Sequence, residues 1–418
     1  MNLKDTIRTA IQALITHKGR SVLTVLGIVI GISAIMIVMS IGDSATYLIV
    51  KEIQSFGSEN VFINPGKPSD GLFSFGGQSA ALLLKSLTEK DVESLRNRSN
   101  VPDAAFINPA VNGSATVSFE SETKTVSIIG SGAEGFDIYN ISVGFGRTFT
   151  KEEVDEKAAV VVVGKNIVKE FFGSETANPV GERIKIKDKR FKIVGVLSTL
   201  GTSMFGIDDM AMIPYTSMQQ YILGIRHFHE IAVAARNPDA VPNLVKDIKI
   251  TLRENHDIED PEDDDFIVST QEDIIKSVNS ILDAITVFLA FVAAISLMVG
   301  GIGVMNIMFV SVTERTKEIG LRKALGATNK NIRTQFLIES VFLTLLGGII
   351  GIMAGALVTF LSVTIASYVM NMNFPFIFSY LGAFLGVVVS GGIGIIFGIF
   401  PAHQASKKSP IEALRAEY

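Results

Sequence analysis

Long apolar stretches without a charged residue occur four times along the chain. They run from Ser21 to Ile41, from Ala284 to Val310, from Ser340 to Thr364 and from Leu381 to Phe400. Each is about as long as the roughly 20 residues that a helix needs to cross the hydrocarbon core of a bilayer. The first is also longer than the apolar region of a secretory signal peptide, about 7 to 15 residues. The pattern therefore predicts an α-helical membrane protein with four transmembrane helices.

Lysine and arginine cluster in the N-terminal segment, in the loop between the second and third apolar stretches, and in the C-terminal tail. Because short segments rich in Lys and Arg stay in the cytoplasm, both termini and this loop are expected inside. The predicted order is a cytoplasmic amphipathic helix (1–20), transmembrane helix 1 (21–42), an extracytoplasmic domain (43–280), a stalk end with transmembrane helix 2 (281–312), a cytoplasmic loop (313–335, the basic loop), transmembrane helix 3 (336–365), a short outer loop (366–379), transmembrane helix 4 (380–400) and a cytoplasmic tail (401–418).

The 43–280 segment alternates short strand patterns with helical ones, which predicts a large α+β extracytoplasmic domain. The predicted strands are Asn60–Asn64, Val126–Gly130, Ala158–Val163, Arg183–Ile186, Phe191–Leu197, Met210–Ile213, Glu230–Ala235 and Phe266–Ser269. The predicted helices begin at Thr88 or cover Asn166–Phe172, Ser217–Leu223, Val241–Glu254 and Thr270–Ser280, the last running on into transmembrane helix 2.

Glycines recur at four-residue spacing within the predicted transmembrane helices. Small residues at this spacing let two helices approach closely, which predicts helix-packing positions at Gly27, Gly31, Gly347, Gly351, Gly355, Gly386 and Gly394. No charged residue lies in the middle of a predicted helix, whereas carriers that couple transport to protons or ions usually need one there. The pattern therefore disfavours a solute path through the helices.

Composition narrows the candidate chemistry. The net charge is −5, the 43–280 segment is acidic, and there is no cysteine, so nucleic acid is not an expected partner and thiol chemistry is excluded. Gly130, Gly132 and Gly135 form GxGxxG, but no helix with an apolar face is predicted after them, as a dinucleotide site requires. His227 and His229 lack an evident third metal ligand. With no Walker A motif and no GxSxG, we expect a non-catalytic chain without cofactor or metal.

The basic loop carries the densest charge pattern. Its segment Thr313–Thr328 predicts a short charged helix that ends at Gly326, supported by ion pairs between Glu314 and Lys317 and between Glu318 and Arg322. A positive-inside anchor would account for basic residues alone. The added apolar surface favours a docking site for a cytoplasmic protein, with the candidate residues Glu314, Arg315, Lys317, Glu318, Ile319, Leu321, Arg322, Lys323 and Leu325.

Several motifs spread over nearly the whole chain resemble the permease subunits of MacB-type ABC transporters, which belong to a superfamily with FtsX and the Lol lipoprotein-release permeases. They are GRSVLTVLGIVIGI at 19–32, NVFINPG at 60–66, PVGERIKI at 179–186, ERTKEIGLRKALGAT at 314–328, QFLIE at 335–339 and PAHQASKKSPIEALRAE at 401–417. The resemblance implies a porter-like part with an inserted second lobe, about Gly113 to Gly224, and a coupling helix in the basic loop that docks on a separate ABC ATPase. It also implies a homodimer, an adaptor of the membrane-fusion type, and transmission of ATP-driven motion (mechanotransmission) that exports peptides, antibiotics or similar amphiphiles.

Two other functions of the same superfamily remain open at this stage. An FtsX-like protein would act as a signalling scaffold that activates a cell-wall hydrolase, and a Lol-like protein would release lipoproteins. FtsX-like outer domains are typically smaller than the 43–280 segment, which favours export.

Overall fold

The computed structural model describes residues 18–55, 57, 59–67, 84–174, 176–198, 206–370 and 373–415. The predicted amphipathic helix in 1–20 lies outside these residues, except for 18–20, which belong to the first long helix. The chain divides into two compact units, residues 48–280 (the large domain) and residues 1–47 with 281–418 (the membrane unit). The division falls within two continuous helices, Lys18–Ser55 and Gln271–Glu314.

The described helices, in chain order, are α1 (Lys18–Ser55), α2 (Glu89–Arg96), α3 (Gly135–Ile138), α4 (Lys151–Asp155), α5 (Lys165–Phe172), α6 (Tyr215–Ser217, continued by a π-helical segment Met218–Leu223), α7 (Val241–His256), α8 (Gln271–Glu314), α9 (Thr316–Ala324), α10 (Asn329–Met370), α11 (Tyr380–Lys407) and α12 (Pro410–Arg415). The strands are β1 (Asn60–Pro65), β2 (Ala104–Phe119), β3 (Glu122–Ser131), β4 (Val143–Gly146), β5 (Val160–Val163), β6 (Arg183–Ile186), β7 (Lys189–Leu197), β8 (Met210–Pro214), β9 (Glu230–Ala235) and β10 (Phe266–Thr270).

One half of the large domain has the order β10-β1-β9-β2, with every neighbouring pair antiparallel. Helix α2 connects β1 to β2, and α7 connects β9 to β10. This βαββαβ sequence with that strand order is the split-βαβ, or ferredoxin-like, arrangement. The porter-like part expected from the resemblance is therefore a ferredoxin-like half.

The second half, which we call the inserted lobe, is built between β2 and β9. Strand β2 changes partner along its length, since Ala104 to Ala110 pair with β9 and Val111 to Phe119 pair with β3. The sheet continues through β3, β8, β5 and β7 to β4. The change of partner after Ala110 lies close to Gly113, where the lobe is predicted to begin.

Two strands escape prediction. Strand β2 contains Pro109 and Gly113, which weaken a strand pattern because proline donates no ladder hydrogen bond and glycine supplies no side chain to pack. Strand β4 is short and contains Gly144 and Gly146. The backbone at Gly146 needs its glycine, since φ is +78° and a Cβ there would lie 2.2 Å from the carbonyl oxygen of Val194.

A partly buried ionic network joins α2, α7 and the acidic segment 257–265, which precedes β10. In His256, Nδ1 lies 2.6 Å from an oxygen of Asp265, and Nε2 lies 3.1 Å from an oxygen of Asp91. The interaction with Asp91 is the largest cause that raises the pKa of His256 to about 9. Arg253 donates two hydrogen bonds of 2.7 Å to the carboxylate of Asp264. The acidic segment is thus tied to the domain through Asp264 and Asp265.

Four helices among the described residues are long and apolar enough to cross a membrane: Val25–Glu52 within α1, Gln271–Glu314 (α8), Asn329–Val369 within α10 and Tyr380–Lys407 (α11). The prediction of four transmembrane helices with a large α+β domain is therefore confirmed. The helices are longer than the apolar stretches. The additional turns at their ends contain polar residues of the stalk and of the basic loop.

These helices contact each other closely at the predicted glycines. A Cβ at Gly347, Gly351 or Gly355 of α10 would lie 2.7–3.2 Å from Ile28, Ile32 or Met36, which recur every four residues on α1. A Cβ at Gly27 would lie 3.1 Å from Gly300 of α8, and at Gly31 2.6 Å from Leu297. On α11, Gly386 lies against Ile32 and Ile352, and a Cβ at Gly394 would lie 2.7 Å from Val341. A larger side chain at any of these positions requires the neighbouring atoms to shift.

Serine hydroxyls add hydrogen bonds where the helices meet. The hydroxyl of Ser33 lies 3.0 Å from the carbonyl oxygen of Gly351 and 2.6 Å from that of Val29 in its own helix, and the hydroxyl of Ser340 lies 2.8 Å from the carbonyl oxygens of both Gly394 and Leu337. Such bonds contribute about 0.6 kcal/mol on average in a membrane interior. Glycine packing and serine bonding therefore act at the same contacts.

Candidate docking site on the basic loop

The basic loop forms its own helix after a break at Arg315. Helix α8 ends at Glu314, Arg315 is non-helical with φ −95° and ψ 16°, and α9 runs from Thr316 to Ala324. Gly326, with φ +98°, follows the helix, a conformation that glycine adopts without a Cβ clash. The helix predicted over Thr313–Thr328 is thus shorter than expected and separated from α8.

One face of α9 is buried in the membrane unit. Ile319 is fully buried and belongs to an apolar cluster with Val312, Ile332, Phe336 and Ala402. Burying a side chain of this kind stabilises the folded state by about 1.5 to 3 kcal/mol. Ile319 therefore fixes which face of α9 turns inward.

Arg315 forms a largely buried ion pair with Glu339 of α10. Its Nη1 lies 3.1 and 3.2 Å from the two carboxylate oxygens, and the side chains of Arg315 and Glu339 are only 17% and 3% exposed. Removing one partner of such a pair leaves a buried charge without compensation and costs about 3 to 5 kcal/mol. This pair holds the break between α8 and α9 against α10.

Arg322 forms a second contact with α10. It donates to Glu318 at 2.5 Å and to the side-chain oxygen of Gln335 at 3.2 Å. Glu318 and Arg322 thus contact each other along α9, as their spacing predicts, and Gln335 connects them to the third long helix.

The outward face of α9 carries two exposed leucines. The side chains of Leu321 and Leu325 are 53% and 80% exposed, and Glu314, Lys317 and Ala324 beside them are exposed as well. Large apolar residues on a charged, rigidly held helix are typical of a surface that another protein covers. We call Lys317 and Leu321, together with Leu325 at the C-cap of the helix, the exposed face of α9.

The predicted docking residues therefore fall into two groups. Those on the outside are Glu314, Lys317, Leu321 and Leu325. Those that contact the chain itself are Arg315, Glu318, Ile319, Arg322 and Lys323, whose ammonium group donates to backbone carbonyls of the C-terminal segment. The second group positions the helix, a role that the sequence pattern does not separate from docking.

The residues that complete this arrangement lie far along the chain. Glu339 is 24 residues from Arg315, and Ser406 is 83 residues from Lys323. Glu339 and Gln335 do belong to the QFLIE motif quoted above. Apart from that motif, their signal in the sequence is their position, since Glu339 directly precedes the uncharged stretch that begins at Ser340.

The GxGxxG motif has a structural role in the large domain. Asn108 is fully buried, and its side-chain oxygen accepts hydrogen bonds from the amide of Gly132 at 2.7 Å and the hydroxyl of Ser131 at 3.0 Å. A Cβ at Gly132 or Gly135 would lie 2.9 Å from the Asn108 side chain. The glycines thus make room for Asn108.

His227 and His229 precede β9 rather than alternating on it, with ring centroids 5.6 Å apart. Nδ1 of His229 accepts a hydrogen bond from the amide of Asn112 at 3.1 Å. Among the described residues, no group of three His, Cys, Asp or Glu side chains could hold a metal ion.

Comparison with known proteins identifies the family. The sequence profile of the MacB-like periplasmic core domain matches residues 21–250, and that of the FtsX-like permease C-terminal region matches residues 290–410. The chain belongs to the MacB/FtsX-like family of ABC transporter permeases. It is 33% identical to the uncharacterized ABC transporter permease YknZ of Bacillus subtilis over 418 residues, covering 100% of both chains.

Other MacB-type relatives are longer. The chain is 34% identical over 412 residues to the macrolide export ATP-binding/permease protein MacB of Neisseria meningitidis serogroup A, covering 98% of this chain and 60% of the relative. Among solved structures, the periplasmic region of MacB from Actinobacillus actinomycetemcomitans is 20% identical with a TM-score of 0.46, covering 55% of this chain and 97% of that one. The extracellular domain of YknZ is 17% identical with a TM-score of 0.40, covering 50% and 100%.

Proposed function

We propose that this MacB-like permease is the membrane subunit of an ABC-type export complex and transmits the ATP-driven motion of an ABC ATPase to its large domain. In this proposal the chain works as a homodimer with an adaptor of the membrane-fusion type and exports peptides, antibiotics or similar amphiphiles. The basic loop lies in the cytoplasm, where α9 is the coupling helix. In this proposal the ABC ATPase hydrolyses ATP, and the permease itself is not catalytic.

The exposed face of α9 is the observation that carries the proposal. Two exposed leucines beside a lysine are held on a helix whose other faces are fixed by Ile319, Arg315 and Arg322. A rigid surface loses little conformational entropy when a partner binds. It also transmits a force without deforming. Such a surface suits a subunit that receives motion.

The apolar helices support motion rather than solute passage. The stretches 21–41, 284–310, 340–364 and 381–400 contain no Asp, Glu, Lys or Arg. Helices α1, α10 and α11 instead contact one another through glycines with no space for a Cβ. Helices without ionisable groups that pack this closely offer no polar path for a solute.

The test replaces both exposed leucines in the full chain. We expect Leu321→Asp with Leu325→Asp to lower the affinity for the partner ATPase about tenfold or more, because fully burying a leucine side chain contributes about 1.5 to 3 kcal/mol. The partner is the ABC ATPase that copurifies with the unmodified chain and is identified by mass spectrometry. Its ATP hydrolysis is then measured in proteoliposomes against permease concentration.

The matched control is Ile250→Asp, which places the same charge at another exposed apolar side chain, on α7 of the large domain. This variant should stimulate the ATPase like the unmodified chain. If the double leucine variant also stimulates it fully, the exposed face of α9 is not the docking site. Recovery of a cell-wall hydrolase bound to the large domain, with no change in drug or peptide efflux on deletion, would support the signalling alternative instead.

A further inference from the structure

Lys323 connects α9 to the end of the fourth long helix. Its ammonium group donates to the carbonyl oxygen of Ser406 at 2.6 Å and to that of Lys408 at 2.8 Å. Helix α11 ends at Lys407, and the last four carbonyls of a helix have no partner within it. A cation at this end also interacts favourably with the helix dipole. Lys323 therefore caps α11 from a different helix.

A second contact joins α9 to the segment that follows. Helix α12 lies against Gly320, where a Cβ would be only 2.6 Å from Cβ of Ala413. Ala413 is 1% exposed, and its amide donates to the carbonyl oxygen of Ser409 at 2.9 Å. Gly320 is thus a position at which α12 approaches α9 closely, and a side chain there would push Ala413 away.

These contacts place α9 between two supports. On one side Arg315 and Arg322 connect it to α10 through Glu339 and Gln335. On the other side Lys323 and Gly320 connect it to the end of α11 and to α12. A force applied to α9 is therefore transmitted to both α10 and α11, through polar contacts to each.

We infer that Lys323 is a positioning residue that fastens the C-terminal segment 406–415 to α9 and makes it part of the surface that receives the ATPase. The inference rests on the proposed function. It differs from the sequence prediction, in which Lys323 itself contacts the partner. Ile411 of this segment is 68% exposed and adds apolar surface beside α9.

Trypsin cleavage after Lys407 and Lys408 measures whether the segment is held, and it requires no ATPase. We expect Lys323→Met, which keeps the aliphatic stem and removes the ammonium, to speed this cleavage about tenfold, because hydrogen bonds to a charged group contribute about 1.5 kcal/mol or more. When the segment detaches and reattaches faster than trypsin cleaves, the cleavage rate is proportional to the fraction of molecules in which the segment is detached. Lys323→Arg, which keeps the charge, should restore most of the protection.

The control is Lys330→Met, which removes an exposed lysine from the same loop and should leave the cleavage rate unchanged. An independent variant is Gly320→Ala, whose new Cβ displaces Ala413. Adding Ala413→Gly to it removes the opposing Cβ and should slow cleavage again. This exchange tests the contact without touching Lys323, and size-exclusion chromatography shows whether each variant is folded.

ATPase stimulation then separates the inference from the proposed function. Lys323→Met should raise the permease concentration needed for half-maximal stimulation several-fold, and Lys323→Arg should reverse most of that rise. Unchanged cleavage in both Lys323→Met and Gly320→Ala would show that the segment is not fastened in this way. Faster cleavage with unaltered stimulation would overturn the role of the segment in docking, and the double leucine variant would still test α9.

Discussion

The large domain is built around large, fully buried side chains such as Phe149, Phe191 and Phe228, whereas in the membrane unit the buried Ile32 and Met36 of α1 pack directly against glycines of α10. The reason is the solvent. Apolar burial drives folding in water, but lipid tails are as apolar as leucine, so helices in a bilayer associate through close fit and hydrogen bonds. Shortening a side chain should thus harm one unit, and lengthening one should harm the other.

The largest expected effect is in the core of the large domain. Phe191→Ala empties a fully buried position in β7, opposite Ile184 of β6, and should lower the free energy of unfolding by about 3 to 5 kcal/mol. Hydrogen exchange of peptides from β6 and β7 in the full chain measures the loss. Phe106→Ala, at a phenylalanine that is 46% exposed, should change it by less than about 1 kcal/mol. Equal effects of the two would contradict the proposed core.

The second prediction concerns pH and only the large domain. His256 has its pKa raised to about 9 from 6.5, so its charged form stabilises the folded state fully below pH 6.5. That contribution is lost as the pH rises to about 9, by at most about 3 kcal/mol. Hydrogen exchange of α7 peptides, corrected for the intrinsic exchange rate, should show protection decreasing between pH 6.5 and about 9. His256→Asn should remove most of this pH dependence. If the pH dependence persists in His256→Asn, another titratable group causes it.

The third prediction enlarges a side chain instead of shortening one and again expects a loss of stability. Gly355→Val adds a side chain where Cβ would lie 2.7 Å from Met36 Cβ and 2.9 Å from the carbonyl oxygen of Ser33, and it should destabilise the membrane unit by about 2 kcal/mol. Thermal unfolding of the detergent-solubilised chain, followed by size-exclusion chromatography, measures the change. Gly392→Val is the matched control, because a Cβ at Gly392 meets nothing within 4 Å. Equal melting of both variants would show that close glycine contact is not what stabilises these helices.

The smallest effect is expected for Ser33→Ala. It removes a hydroxyl that Gly351 of α10 shares with Val29 of the same helix but leaves the glycine contact in place, and it should cost at most about 0.6 kcal/mol. The same melting assay compares it with Thr364→Ala, whose hydroxyl bonds only within its own helix, to Phe360. A loss for Ser33→Ala as large as that for Gly355→Val would make polar bonding the dominant contribution instead.

Sequence patterns predict most strands and all four long helices of this fold because each depends on residues close together in the chain. Strand β2 escapes because Pro109 and Gly113 interrupt the pattern locally, while pairing with β9 and β3 stabilises it from elsewhere. The same limit applies to the docking site. The charge of the basic loop is visible in the sequence, but the partners that turn Arg315 and Lys323 inward are distant, and only the fold brings them together.

Strand β2 also has a consequence for how such permeases diversify. The chain enters the inserted lobe just after Ala110 and leaves it just before Glu230, and these two residues are paired across neighbouring strands. The four strands of the ferredoxin-like half pair with one another up to this point, and one helix of the lobe, α3, packs on them through Ile138, which contacts Ala232 and Ala234 of β9. A lobe of different size or recognition chemistry that keeps this helix can therefore be exchanged between the two paired residues, much as an antibody loop is grafted, without rebuilding the part of the chain that continues into the membrane.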